Sequence, residues 1–229
     1  LVCMFGAFLV TPVGGNAIFR VQVHFIGADL HLERALVVIY HSRMQGLVEI
    51  IFGVESGSER VRNQVIGKGV PDTAIENAIS ICKKHSILAD MYLMLGFPTE
   101  TRDEVEETVN YPKKMKPNIF GLHITMPLPG ARIWDLAIAD GVIPKDTIDR
   151  YIKGEFGEGF NEVWPLYTTN ELSLKYLKEA TARTYKGYYF TPSYIWHRLK
   201  TDIKSASAIK MDLSQVKSLL FSGDSLNLE

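Results

Sequence analysis

Three apolar runs in this chain break off into turns of glycine, proline and hydroxyl residues. They come in series: Phe52-Gly53-Val54-Glu55-Ser56-Gly57-Ser58, then Leu95-Gly96-Phe97-Pro98-Thr99-Glu100-Thr101, then Met126-Pro127-Leu128-Pro129-Gly130. Amphipathic stretches of helical period separate the runs, and strands alternating with helices dictate a parallel sheet covered by helices. In such folds the carboxyl ends of the strands carry ligands while the strands themselves carry the core. The three turns therefore predict a ligand-binding rim on an α/β chain.

With 229 residues, 46% of them hydrophobic, the chain can bury one sizeable core and a small appendage. A net charge of -1 gives no basic stripe, so neither nucleic acid nor an anionic membrane is expected as a partner. Cys3 and Cys82 are the only cysteines, too few for a disulfide framework, which places the expected setting in a reducing cytoplasm. The apolar opening from Leu1 to Val10 lacks a basic leader and is too short to span a bilayer. It reads as a strand or a truncated element. With no starting methionine, the sequence is expected to be a fragment, a processed product or an artefact of how the segment was cut.

Along the chain, Phe19, Val21, Val23 and Phe25 alternate with Arg20, Gln22 and His24, which predicts a strand with one wetter face, suited to an edge. Asp29 as N-cap with Leu32, Leu36 and Ile39 predicts a helix closed by Gly46. Val48 to Val54 is a buried strand. Thr73 and Glu76 then form a capping-box pattern after Pro71, and Ile75, Ala78, Ile79 and Cys82 make a buried stripe, so Cys82 reads as core. Ala89 to Leu95 is the next strand. Thr101 and Glu104 repeat the capping box ahead of Val105 and Val109, in a helix that Pro112 should kink or end. Ile119 to Met126 is a further strand, and Ile133, Trp134, Ala137 and Ile138 line a helix closed by Gly141. Lys145 to Tyr167 is rich in glycine and aromatics with no clear period and reads as an ordered surface excursion over the rim rather than a repeat. Leu172 to Arg198 returns to helix, and its aromatics, Tyr185, Tyr188, Tyr189, Phe190, Tyr194 and Trp196, read as packing. The serine-rich tail from Lys204 to Glu229 is weakly patterned and expected to be loosely ordered.

The first turn has the chemistry of a nucleoside site. The Glu55 carboxylate can accept two ribose hydroxyls, and Ser56, Gly57 and Ser58 offer backbone and hydroxyl donors beside it. The plain alternative is that Glu55 caps a helix beginning near Ser58. In the second turn, around Phe97, Gly96 permits close approach, Pro98 fixes the turn and Thr101 caps the helix that follows, so the backbone can meet a flat base edge. Pro127, Pro129 and Gly130 make a rigid third turn that could equally be a plain turn. Other chemistries fail on spacing. Val54 stands where a nucleophile elbow needs glycine, and Gly67-Lys68-Gly69 lacks the rest of a phosphate loop, leaving Lys68 as a solvated charge at a helix end. His24, His31 and His41 are too far apart for a local zinc site, and no metal ligands are assigned. His123, within a strand, either meets a substrate or is a hydrogen-bonded core histidine.

The three turns, in this order and spacing, resemble the C-terminal half of radical S-adenosylmethionine (SAM) enzymes, above all the branch with a cobalamin-binding domain upstream. The resemblance runs from about Val48 to Arg198. It implies a parallel-stranded partial (βα) barrel, truncated at its N-terminal half, with a helical C-terminal extension. Residues 1–46 would be a remnant βα segment, 47–143 the C-terminal half of the barrel, 144–203 the extension and 204–229 the tail. It also implies that Glu55, with Ser56, Gly57 and Ser58, holds the SAM ribose, that Gly96, Phe97 and Pro98 contact adenine, and that Pro127, Pro129 and Gly130 border the adenine or the substrate. The family holds a 4Fe-4S cluster on a Cys-x3-Cys-x2-Cys loop that this sequence lacks. The implied function is thus the SAM-binding C-terminal portion of an enzyme of radical methylation or cyclisation, inactive alone. Its cluster, and cobalamin where used, would be held elsewhere, and the missing half or a partner chain would cover the open sheet edge at Phe19 to Phe25. The alternative is a cluster-free SAM-binding or scaffold module.

Overall fold

The computed structural model describes residues 9–12, 19–24, 47–155, 166–192, 194 and 196. The helix expected from Asp29 to Gly46, the glycine-rich stretch 156–165 and the tail after Lys204 lie outside the described residues. The protein is α/β. Among the described residues its sheet has five strands in the order β1 (Leu9–Pro12), β2 (Phe19–His24), β3 (Leu47–Glu55), β4 (Leu88–Leu95) and β5 (Ile119–Ile124). From β2 to β5 every pairing is parallel.

β1 runs antiparallel to β2, with Leu9 opposite Gln22 and Pro12 opposite Phe19. The expectation that β2 would present an open edge is therefore corrected, because the apolar opening supplies a strand that pairs with it. Among the described residues the edge is β1, whose four residues include Pro12, and a short strand with a proline offers little ladder to another chain.

Two helices cover one face of the sheet. In α1 (Asp72–Lys84) the buried stripe is Ile75, Ala78, Ile79 and Cys82, as the period dictates, and in α2 (Arg102–Met115) it includes Val105 and Val109. Both pack on β4 and on each other. In register beneath them lie rows such as Phe52, Met91 and Phe120, each 3% exposed or less. At about 25 cal/mol per Å2, such apolar burial is the main stabilising contribution.

Two local expectations are corrected. Thr73 and Glu76 do not form a capping box, since Pro71 is the N-cap and makes no side-chain bond, which puts Thr73 inside the first turn. Pro112 lies inside α2 and does not end it at once. The helix runs to Met115 and stops at Lys116 in the left-handed conformation, so the proline removes a single hydrogen bond in the last turn.

Beyond β5 come α3 (Arg132–Ala139), α4 (Thr147–Ile152) and α5 (Leu174–Tyr189). α4 lies inside the stretch expected to be an ordered excursion, where no period was legible in the sequence. Trp134, Ala137, Ile143 and Tyr167 form a second small core with Met126 and Ile138. The chain divides into two compact units, residues 1–178 and 179–229. In the second, Tyr188, Tyr189 and Tyr194 pack as a ring cluster, with Tyr189 and Tyr194 centroids 4.9 Å apart. Among the described residues no helix is long and apolar enough to cross a membrane.

Candidate functional site

The three turns all leave the carboxyl ends of parallel strands, β3, β4 and β5, and so lie along one rim. Glu55 closes β3. The β3–β4 register slips between Gly53 and Glu55, and Glu55 takes a left-handed φ of 72°. Such a bulge re-aims a side chain, and the left-handed backbone costs a non-glycine residue roughly 1 kcal/mol that surrounding contacts must offset. Those contacts come from Lys68, whose Nζ donates to Glu55 Oε1 at 2.9 Å and to the Gly53 carbonyl at 3.1 Å. Lys68 is not the solvated charge its position in the sequence indicated; its side chain is 13% exposed. The second carboxylate oxygen of Glu55 has no hydrogen bond to the described residues.

The residues after Glu55 use their polar groups inward. Ser56 is fully buried with its hydroxyl 3.2 Å from Thr108 Oγ1, and Gly57 N–H donates to the same oxygen at 3.0 Å. Ser58 N–H donates to Ser56 Oγ, and Ser58 Oγ donates to Glu104 Oε1 at 3.1 Å. Gly57 is needed for packing, because a Cβ there would stand 2.7 Å from Thr108 Cα and 2.9 Å from the Glu107 carbonyl oxygen. The expected donors of this turn are thus spent on α2 and within the turn itself, whereas Glu55 keeps one carboxylate oxygen without a hydrogen bond to the described residues.

Glu104 ties the first two turns together. It completes the capping box with Thr101, whose N–H and hydroxyl each donate to Oε2 at 2.9 Å, and Arg60 donates to both its oxygens at 2.6 and 2.7 Å. Arg60, then Thr101 and Ser58, hold its carboxyl down at about 2 against the cost of burial. Arg62 is the residue that sequence reasoning missed. Fully buried, it donates to the carbonyls of Ser56 and Val70, both at 2.9 Å, and to Asp72 Oδ1 at 2.5 Å. Asp72 also accepts from Tyr111 and Lys114. The only trace in the sequence was an arginine between valines and polar residues, with nothing to say that it turns inward.

The second turn is also closed. Gly96 has a φ of 83°, and a Cβ on it would meet the Tyr167 carbonyl at 2.9 Å. Its N–H and that of Phe97 donate to Glu100 Oε2 at 2.6 and 3.0 Å. These are the backbone donors expected to be open to a base edge. Phe97 and Pro98 are buried. Glu100, 5% exposed, leaves Oε1 without a hydrogen-bond partner, and burial pushes its carboxyl up to about 7 despite the two N–H donors. In the third turn Pro127 is buried, whereas Leu128, Pro129 and Gly130 are exposed, with Gly130 at a φ of 84° in open space.

On the sheet face away from the buried rows, Tyr92 and His123 stand exposed with ring centroids 6.0 Å apart at 70°. Gly121 makes room for them, since a Cβ there would lie 3.1 Å from Tyr92 and 3.2 Å from His123 Nε2. His123 is therefore a surface of the open face rather than a core histidine. Cys82 is buried, and burial pushes its thiol up to about 12, so it offers no thiolate to iron. Among the described residues no group of three or more His, Cys, Asp or Glu could hold a metal ion. The described residues do not fit an iron-sulfur cluster. In the first turn Glu55 offers a carboxylate oxygen that has no hydrogen bond to the described residues.

No family model matches the chain. It is 37% identical over 98 residues to an uncharacterized methyltransferase of Pyrococcus horikoshii, covering 43% of this chain and 21% of that protein. It is 40% identical over 73 residues to an uncharacterized protein of Methanocaldococcus jannaschii, covering 31% and 16%. The matched part thus spans about a fifth or less of these relatives' length. Similar solved structures include the radical SAM methyltransferase TsrM of Kitasatospora setae with cobalamin and a 4Fe-4S cluster bound, at 16% identity and a TM-score of 0.42 over 54% of this chain and 24% of that one. Another is the radical SAM enzyme coproporphyrinogen III oxidase (HemN) of Escherichia coli, at 15% identity and a TM-score of 0.47 over 71% and 31%.

Proposed function

We propose that this chain forms the SAM-nucleoside wall, and part of the substrate floor, of a radical SAM enzyme that transfers a methyl group. The carrying observation is Glu55, set at the end of a parallel strand with one carboxylate oxygen fixed and the other without a partner among the described residues. A carboxylate so placed accepts hydrogen bonds from a ribose diol. The sequence match to an uncharacterized methyltransferase favours methyl transfer over cyclisation. With two cysteines in the sequence, the cluster belongs to residues outside it, as does cobalamin where it is used, and the chain is inactive alone. Gly96, Phe97 and Pro98 then serve as a rigid apolar border to the adenine, and Pro127, Pro129 and Gly130 as the substrate-side border. Tyr92 and His123 line the floor.

The second reading, a cluster-free module that binds the nucleoside, is favoured by the closed first and second turns, whose donors are satisfied within the chain itself. Equilibrium dialysis with SAM tests what both share. Glu55→Ala is expected to weaken binding about tenfold, the order of one charge-assisted hydrogen bond. Unchanged binding would overturn the Glu55 assignment. Anaerobic treatment with iron and sulfide separates the clauses, since a cluster and SAM cleavage on this chain would contradict its inactivity.

A further inference from the structure

Gly67-Lys68-Gly69 is not a phosphate loop, yet its conformation is specific. Both glycines are left-handed, with φ of 82° at Gly67 and 64° at Gly69. A Cβ on Gly67 would touch nothing within 4 Å, so glycine is required there for its backbone angle and not for space. The loop is anchored on either side, by Lys68 N–H to the Arg62 carbonyl at 3.0 Å and by Val70 N–H to Asn63 Oδ1 at 2.8 Å. What this construction delivers is one ammonium group, carried back 13 residues in sequence to the end of β3.

We propose that Lys68 is a positioning residue of the ligand site: it fixes Glu55 so that the free carboxylate oxygen faces a vicinal diol. This rests on the nucleoside reading of Glu55 and adds a residue to it. The geometry is bidentate on the protein side. One N–H of Lys68 holds the Gly53 carbonyl, another holds Glu55 Oε1, and together they tie the bulged, left-handed backbone of Glu55 to its own side chain. A freely rotating carboxylate would lose side-chain entropy on capturing a diol; one already held loses less, and so binds more tightly and with a defined angle. The pair is also neutral in sum, so the site selects for hydroxyl geometry rather than for ligand charge.

The test uses the 229-residue chain titrated with adenosine and with 2′,3′-dideoxyadenosine, in wild type, Lys68→Met and Lys68→Arg. Lys68→Met is expected to lose about tenfold in affinity for adenosine and less than about twofold for the dideoxy compound, with Lys68→Arg recovering part of the loss. Equal losses on both ligands, or none, would overturn the proposal and leave Lys68 a structural ion pair. If wild type binds neither ligand, the nucleoside reading fails, and amide hydrogen exchange at Ser56, whose N–H donates to the Val54 carbonyl at 3.0 Å, decides the positioning by itself. Exchange about tenfold faster in Lys68→Met supports it, and unchanged exchange overturns it.

Discussion

Glu100 shows how one side chain couples the rim to pH. Its buried carboxyl is raised from 4.5 to about 7, chiefly by desolvation, with the Gly96 and Phe97 N–H groups opposing. Between those values the native state keeps a proton that the unfolded chain has released, so stability is full below pH 4.5 and falls as pH rises toward 7. The loss is on the order of 3 kcal/mol, from 1.36 kcal/mol per unit. Glu104 has the opposite sign, because Arg60 holds it down at about 2 and its contribution vanishes only as pH falls through that value. Urea midpoints should therefore decline from pH 5 to pH 7.5 in wild type, and Glu100→Gln should flatten that decline. A mutant with the wild-type slope would show that Glu100 is ionised in the fold throughout. Such behaviour was not legible beforehand: Glu100 reads as one more polar residue of a turn, and only its burial, against the pull of the Gly96 and Phe97 N–H groups, raises it.

Elements were legible where one periodicity governed them. Strands β3, β4 and β5 fall within two residues of their expected limits, and the Thr101–Glu104 capping box forms because both partners stand at a true helix start. Thr73 and Glu76 carry the same letters without the box, since Pro71 starts that helix two residues earlier than Thr73 and leaves its hydroxyl past the cap position. What joins the elements was hidden, because it runs through charges that a sequence pattern assigns to the surface. Arg62 binds the turn after β3 to the start of α1, and through Tyr111 and Lys114 the Asp72 carboxylate binds α1 to α2. Arg62→Met is expected to cost about 3–5 kcal/mol, because it strands buried carbonyls and the Asp72 charge. Adding Asp72→Asn should recover part of that loss in the same denaturation measurement. A fully additive double mutant would mean that the network is not coupled.

At the scale of the whole molecule, the parallel sheet, its helices and its rim followed from the alternation of patterns, and the antiparallel β1 did not. β1 is only four residues long and lies in the stretch of poorest pattern, so its pairing depends on contacts that no window of sequence displays. The three turns lie along one rim as expected, while the use of their donors was not foreseen: Ser56, Gly57, Ser58, Gly96 and Phe97 spend theirs within the chain, and Glu55 is the group to which the proposal assigns the ligand. The central claim is that this group receives a nucleoside. A crystal structure of the chain with S-adenosylhomocysteine tests it most directly. The account predicts the ribose hydroxyls on the Glu55 carboxylate, beside Lys68, with the adenine against the Gly96–Pro98 turn. A nucleoside bound away from Glu55, or none bound at saturating concentration, would contradict it.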